Sequence, residues 1–204
     1  MNLYDLFVRC LEIPYTCVDN SGDYAVERIG NTLYIYLEKS SGAEDWKNNL
    51  DFPIKAYKDM DGGIWYAHRG FLRVWKSIEP YVGRYIFDPL VKSIVTVGYS
   101  HGGALAVLCH EYIWYNRPEL RKNIYGYGFG SPKVIWGPKK QGHLARWENF
   151  TVIRNINDIV TRIPPSILGY HHVGSVLEIG AKGKYSSGDA HRPESYLNEL
   201  EIYQ

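Results

Sequence analysis

The spacing of apolar positions changes along the chain, and each change marks an element. Residues 24–29 and 32–37 are β-branched and aromatic segments on either side of Gly30-Asn31, a combination that predicts a hairpin. Residues 52–57 and 64–67 follow as two further strands, separated by the turn Asp59-Met60-Asp61-Gly62-Gly63. A helix is expected from about 71 to 87. Ser93-Ile94-Val95-Thr96-Val97 is then a short β-branched run, which reads as a strand buried in a parallel sheet. Ala104-Leu105-Ala106-Val107-Leu108-Cys109 has helical composition that continues to about Tyr115. Strands are expected at 123–129 and 150–155, a weaker one at 176–179, and a last helix at 193–203. The first ten residues, broken by Asp5 and Arg9, read as a short amphipathic helix. Strands alternating with helices through the middle and end point to an α/β protein with a mostly parallel sheet. The early hairpin points to an antiparallel edge.

Composition narrows the classes. A chain of 204 residues with 45% hydrophobic and 22% charged content can bury one core, and without repeats or linkers it reads as a single domain, 1–204. A net charge of +1, with no basic cluster longer than Lys139-Lys140, argues against a nucleic-acid partner. No apolar run is long enough to span a bilayer, and the first residues lack the basic start of a signal peptide. Cys10, Cys17 and Cys109 are odd in number and show no C-x-x-C spacing, so reduced thiols and a cytoplasmic address are expected.

The chemistry concentrates at Gly98-Tyr99-Ser100-His101-Gly102-Gly103. A strand precedes it and a helix follows it, which puts Ser100 on a sharp turn where strand and helix backbones nearly touch. Glycine two positions away on each side leaves the room such a turn needs. A serine hydroxyl at neutral pH needs a histidine to take its proton and an acid to orient that histidine. In hydrolases built on this turn the chain order is serine, acid, histidine. The acids after Ser100 include Glu148, Asp158, Glu178 and Asp189. Asp158 is favoured because it follows the 151–155 segment, at the carboxyl end of a strand, where sites form in open α/β sheets. The histidines are His143, His171, His172 and His191. His143 precedes Asp158 and so is out of order. His191, at the end of a Gly/Ser-rich loop, is favoured, with His172 its rival. Metal chemistry finds no support: His110-Glu111 begins a metalloprotease-like helix motif, but Trp114 stands where the second histidine belongs. No phosphate-binding loop or dinucleotide fingerprint is present, so no cofactor is expected.

These residues resemble the class 3 lipases of the α/β-hydrolase superfamily. The resemblance is carried by the 98–103 turn, Asn157-Asp158 to Pro164-Pro165, Tyr170 to Gly174, and His191 with Tyr196 after it. Upstream, residues 34–40 and Asp45-Trp46 resemble the family's oxyanion strand and the helix behind it, and His68-Arg69-Gly70-Phe71 resembles its His-x-Gly-Phe entry to the next helix. The resemblance covers about residues 24–200. It implies the α/β-hydrolase fold with helices on both sheet faces. It also implies Ser100 as nucleophile, Asp158 as orienting acid and His191 as general base, with the backbone N–H groups of Ser40 and His101 forming the oxyanion hole. The His101 side chain is expected to be structural. The family's usual Arg-Gly before the oxyanion residue is Glu38-Lys39 in this chain, so that loop is expected to differ. The lid would fall at about 41–50 with Trp46 as its apolar anchor; Glu44, Asp45 and Lys47 leave it little apolar surface, so interfacial activation is expected to be weak. The implied partner is a small acyl ester, of acylglycerol or short-chain type, with transient contact to a lipid surface. Thioester, amide or acyl-transfer chemistry on the same triad, or a relict site on a binding protein, are the alternative readings. The sequence assigns no oligomeric state.

Overall fold

The structure is a computed structural model that describes residues 1–18, 22–38, 54–58, 64–137 and 144–204. From the N-terminus, helix α1 (Leu3–Glu12) leads to strands β1 (Thr16–Val18), β2 (Gly22–Ile29), β3 (Thr32–Leu37), β4 (Ile54–Lys58) and β5 (Ile64–His68). Helix α2 (Arg69–Ile86), strand β6 (Ser93–Tyr99) and helix α3 (His101–Asn116) form the middle. Strands β7 (Ile124–Phe129), β8 (Ile135–Trp136), β9 (Phe150–Asn155), β10 (Tyr170–His171) and β11 (Ser175–Ile179) follow, and then helix α4 (Pro193–Leu200).

Seven strands form one sheet in the order β1-β2-β3-β6-β7-β9-β11. The β1–β2 and β2–β3 pairs are antiparallel, and every pair from β3 to β11 is parallel. The antiparallel edge and the parallel body therefore stand where the hydrophobic pattern places them. Parity along the strands explains the unbroken apolar runs. Leu33, Ile35 and Ile94 face a core shared with Phe71, Ile78, Leu105 and Leu108 of α2 and α3. Tyr36, Val95 and Val97 face the opposite core, with Phe7 of α1 and Tyr196 and Leu200 of α4. A strand covered on both faces has no reason to alternate with polar residues.

A second, antiparallel sheet, β10-β8-β5-β4, is added by the tertiary fold. Its strands β8 and β10 have two residues each, too few to show a period in sequence. They are defined by pairing: Trp136 stands opposite both Tyr66 and Tyr170. Helix α2 begins at Arg69, two residues before the apolar pattern suggests, because the His68 side chain accepts from the Phe71 N–H and caps it.

Register brings the site together. Leu37 of β3 stands beside Gly98 of β6, and Tyr99 beside Phe129 of β7. The carboxyl ends of the three central strands thus finish level, and the chain turns at Ser100.

Candidate active site

Ser100 has φ 57° and ψ −121°, and among the described residues it is the one non-glycine with positive φ. Such backbone costs on the order of 1–3 kcal/mol and persists only where the surroundings over-determine it. Here they do. The Ser100 N–H donates to the Phe129 carbonyl at 2.8 Å, and α3 starts at the next residue. A Cβ on Gly98 would lie 2.0 Å from the Gly102 carbonyl oxygen, and one on Gly102 would lie 2.0 Å from that of Leu37. Both glycines are therefore demanded by backbone contact. His101, the first residue of α3, has its N–H at the positive end of the helix dipole.

Asp158 leaves the end of β9 through a turn in which its N–H donates to the Asn155 carbonyl at 2.9 Å. Its side chain is fully buried. A buried carboxylate is tolerated only when its lone pairs are used. Oδ1 accepts from the Val160 N–H at 2.8 Å; Oδ2 accepts from the Tyr196 hydroxyl at 2.7 Å and lies 2.7 Å from Nδ1 of His191. The other ring nitrogen, Nε2, lies 2.8 Å from Oγ of Ser100. An ionised Asp158 has only acceptors, so Nδ1 carries the hydrogen and Nε2 is left to accept from the serine hydroxyl. Burial and the charge of Asp158 hold the Tyr196 hydroxyl well above the ordinary tyrosine pKa, so it stays a donor.

The other residues weighed for these roles go elsewhere. His172 Nε2 is 2.8 Å from the Thr161 carbonyl, and loss of water around the ring lowers its pKa to about 4. His171 Nε2 is 2.9 Å from the Gly137 carbonyl. Glu178 pairs with Arg154 across β9 and β11. Asp189 accepts from Ser186 Oγ at 2.6 Å, and its carbonyl accepts from Ser195 Oγ at 2.7 Å. Glu148 lines a cavity of about 360 Å³ with His110, Arg121 and Arg146, at the end of the sheet away from Ser100. The His101 side chain is buried and packs edge-on against Phe71, with centroids 5.4 Å apart. Ser40, Trp46, the 41–50 segment and His143 lie outside the described residues.

Three further residues join the site, and the sequence assigns none of them a function there. Tyr196 donates its hydroxyl hydrogen to Asp158 from five positions past His191. Tyr99 stacks on the His191 ring, with centroids 5.4 Å apart, and its hydroxyl donates to the His191 carbonyl. Lys133 donates from Nζ to the Arg162 and Pro164 carbonyls at 2.7 and 3.3 Å and so holds the loop after Asp158. Position next to Ser100, and five residues past His191, was the available signal for the two tyrosines; nothing local marks Lys133.

Comparison with known proteins gives concordant results. The family profile described as Lipase (class 3) matches residues 34–167. A phospholipase A1-II 5 from Oryza sativa subsp. indica is 28% identical over 137 residues, covering 61% of this chain and 29% of its own length. This chain thus spans less than a third of that curated relative. Among solved structures, a fungal lipase–inhibitor complex superposes with a TM-score of 0.67 at 24% identity, covering 80% of this chain and 64% of that one. A triacylglycerol lipase whose catalytic centre is a serine protease triad superposes with a TM-score of 0.66 at 21% identity, covering 94% and 76%. At such identities these superpositions speak for the α/β-hydrolase fold.

Proposed function

The chain belongs to the class 3 lipase family, and we propose that it is a serine hydrolase of carboxylic esters. The observation that carries the proposal is the unbroken relay from Ser100 Oγ through the His191 ring to buried Asp158, at 2.8 and 2.7 Å. Ser100 Oγ attacks the acyl carbonyl while His191 Nε2 takes its proton. Asp158 keeps the ring in the required tautomer and stabilises the imidazolium. The alkoxide develops toward the N–H of His101 and, in the family arrangement, that of Ser40; one such donor is worth roughly 2.7–4 kcal/mol of barrier. Collapse expels the alcohol, which leaves with the proton from His191. Water then repeats the sequence on the acyl-serine and releases the acid.

The substrate class we propose is an acyl ester reached in solution or at a lipid surface. Ile159, Ile167 and Leu168, on the loop that carries Asp158, are exposed by 50%, 94% and 52%. Apolar side chains held that far out suit contact with acyl material. Among the described residues no helix is long and apolar enough to cross a membrane.

The test is turnover of a p-nitrophenyl ester series by the protein and by Ser100→Ala. Hydrolysis should be abolished by the substitution, and an active Ser100→Ala variant would refute Ser100 as nucleophile. Preference along the series separates short soluble esters from long emulsified ones, and turnover of thioesters or amides alone would move the chain to another acyl chemistry.

A further inference from the structure

We infer that Tyr99 is a positioning residue for His191, bridging the turn that carries the nucleophile to the loop that carries the base. The inference rests on the catalytic reading above. Ser100 and His191 lie 91 positions apart in sequence, yet must stay within hydrogen-bond reach. The serine end is rigid, fixed by β6, α3 and the two glycine contacts. The histidine end is not intrinsically so. Residues 181–184 and 186–189 are exposed; Asn157 holds Ala181 and Gly183, and Glu199 meets Lys184 and Tyr185, but from Ser186 to His191 the backbone–backbone bonds are local: Ala190 N–H to Ser186 and His191 N–H to Gly188. An exposed loop closed by short-range bonds opens easily.

Tyr99 counters this at the residue that matters. Its backbone is covalently joined to Ser100, while its hydroxyl donates to the main-chain carbonyl of His191. The phenol ring lies near-parallel to the imidazole, with an interplanar angle of 24°. One side chain therefore holds the base twice, by its main chain and by the face of its ring. Tyr99 is itself immobilised: it is 3% exposed and packs edge-on against Phe7 of α1 at 5.3 Å and Tyr196 at 5.8 Å. Gly130 makes room for the convergence. With φ +56°, it has no Cβ where one would lie 3.2 Å from Tyr99 Cε2 and 3.3 Å from His191 Cε1.

The experiment compares Tyr99→Phe and Tyr99→Leu with the unaltered protein, reading steady-state kinetics on a soluble p-nitrophenyl ester and amide hydrogen exchange over residues 181–192. Tyr99→Phe keeps the ring and its packing and loses the hydroxyl. It should lower kcat about fivefold to tenfold with KM unchanged, as the loss of one neutral hydrogen bond implies. It should also speed exchange at residues 189–192 relative to the sheet. Tyr99→Leu removes both holds and should cost kcat about a hundredfold, the scale of a misplaced catalytic group; if it fails to fold, Tyr99→Phe still decides. Unchanged exchange at 189–192 in Tyr99→Phe overturns the bridge, as does unchanged kcat. Absence of ester turnover by the unaltered protein refutes the catalytic reading instead, and the exchange measurement still decides the bridge.

Discussion

Two stretches of chain reach the carboxyl edge of the main sheet, and each brings a histidine there. The first, residues 156–172, carries Asp158 and ends at His172. It is pinned along its length: Lys133 holds the carbonyls of Arg162 and Pro164, the Trp136 indole N–H holds that of Leu168, and His172 spends Nε2 on Thr161. The second, residues 180–192, carries His191 and is mostly exposed, tied by Asn157 at its start and by Tyr99 at its end. The difference teaches what separates a histidine committed to structure from the one proposed as base. His172 is crowded, neutral and committed to a backbone carbonyl. His191 keeps 18% of its side chain exposed, with one nitrogen on a carboxylate and the other facing a hydroxyl, so it can accept a proton and pass it on.

The largest effect that can break this contrast comes from the two alanine variants. His191→Ala should lower kcat by about 10⁴-fold or more, because removing the proposed base disables a unit that acts together. His172→Ala should leave kcat within a few-fold and lower stability by about 1–2 kcal/mol. The opposite pattern in steady-state kinetics would transfer the base to His172.

Acid should act on stability through the structural histidines. Burial lowers the pKa of His110 to about 4, as crowding does for His172. Both folded values lie below the unfolded value of about 6.5, so the unfolded chain takes up protons first. Stability should therefore be full above about pH 6.5, fall as pH drops toward about 4, and level off below. His110 alone accounts for up to about 3 kcal/mol of that loss. Urea midpoints across this range check the sign, and His172→Gln should flatten the slope; an unchanged slope would show that His172 titrates normally.

Smaller effects probe what holds the acid. Tyr196→Phe removes one of the three donors on Asp158 and should lower kcat about tenfold, the scale of one hydrogen bond to a charged group. A wild-type pH–rate profile in that variant would make Tyr196 a packing residue only. The smallest change is expected at the exposed tip of the first stretch. Ile167→Ser should leave turnover of a soluble ester unaltered and reduce initial rates on an emulsion of the same acyl chain. Equal loss on both substrates would count against lipid contact by that loop.

Much of the main sheet was legible from the pattern, because its strands are covered on both faces and its helices carry long apolar stripes. Ser100 was legible for a local reason: Gly98 and Gly102 answer backbone contacts within one short segment and one neighbouring strand. Half of the small sheet was legible too, as the strands at 52–57 and 64–67; β8 and β10 were not, since they exist only through pairing with β5 and with each other. Asp158 and His191 stood in the sequence as favoured members of short sets. Rivals such as Asp189 and His172 share chain order and residue type with them, and what distinguishes them is which atoms lie within 3 Å.

By itself the sequence determined the alternation of elements, the sharp turn that presents Ser100, and the chain order of that serine and the acids and histidines after it. These are local properties, set by side-chain period and by the conformations glycine permits. Tertiary structure alone decided which histidine faces the serine and which is spent on a carbonyl. It also decided that Tyr99 and Tyr196 close around the pair. Those contacts join residues 33, 38, 91 and 92 positions apart. Whether they form depends on register and burial in the packed molecule, which no short window of the chain contains.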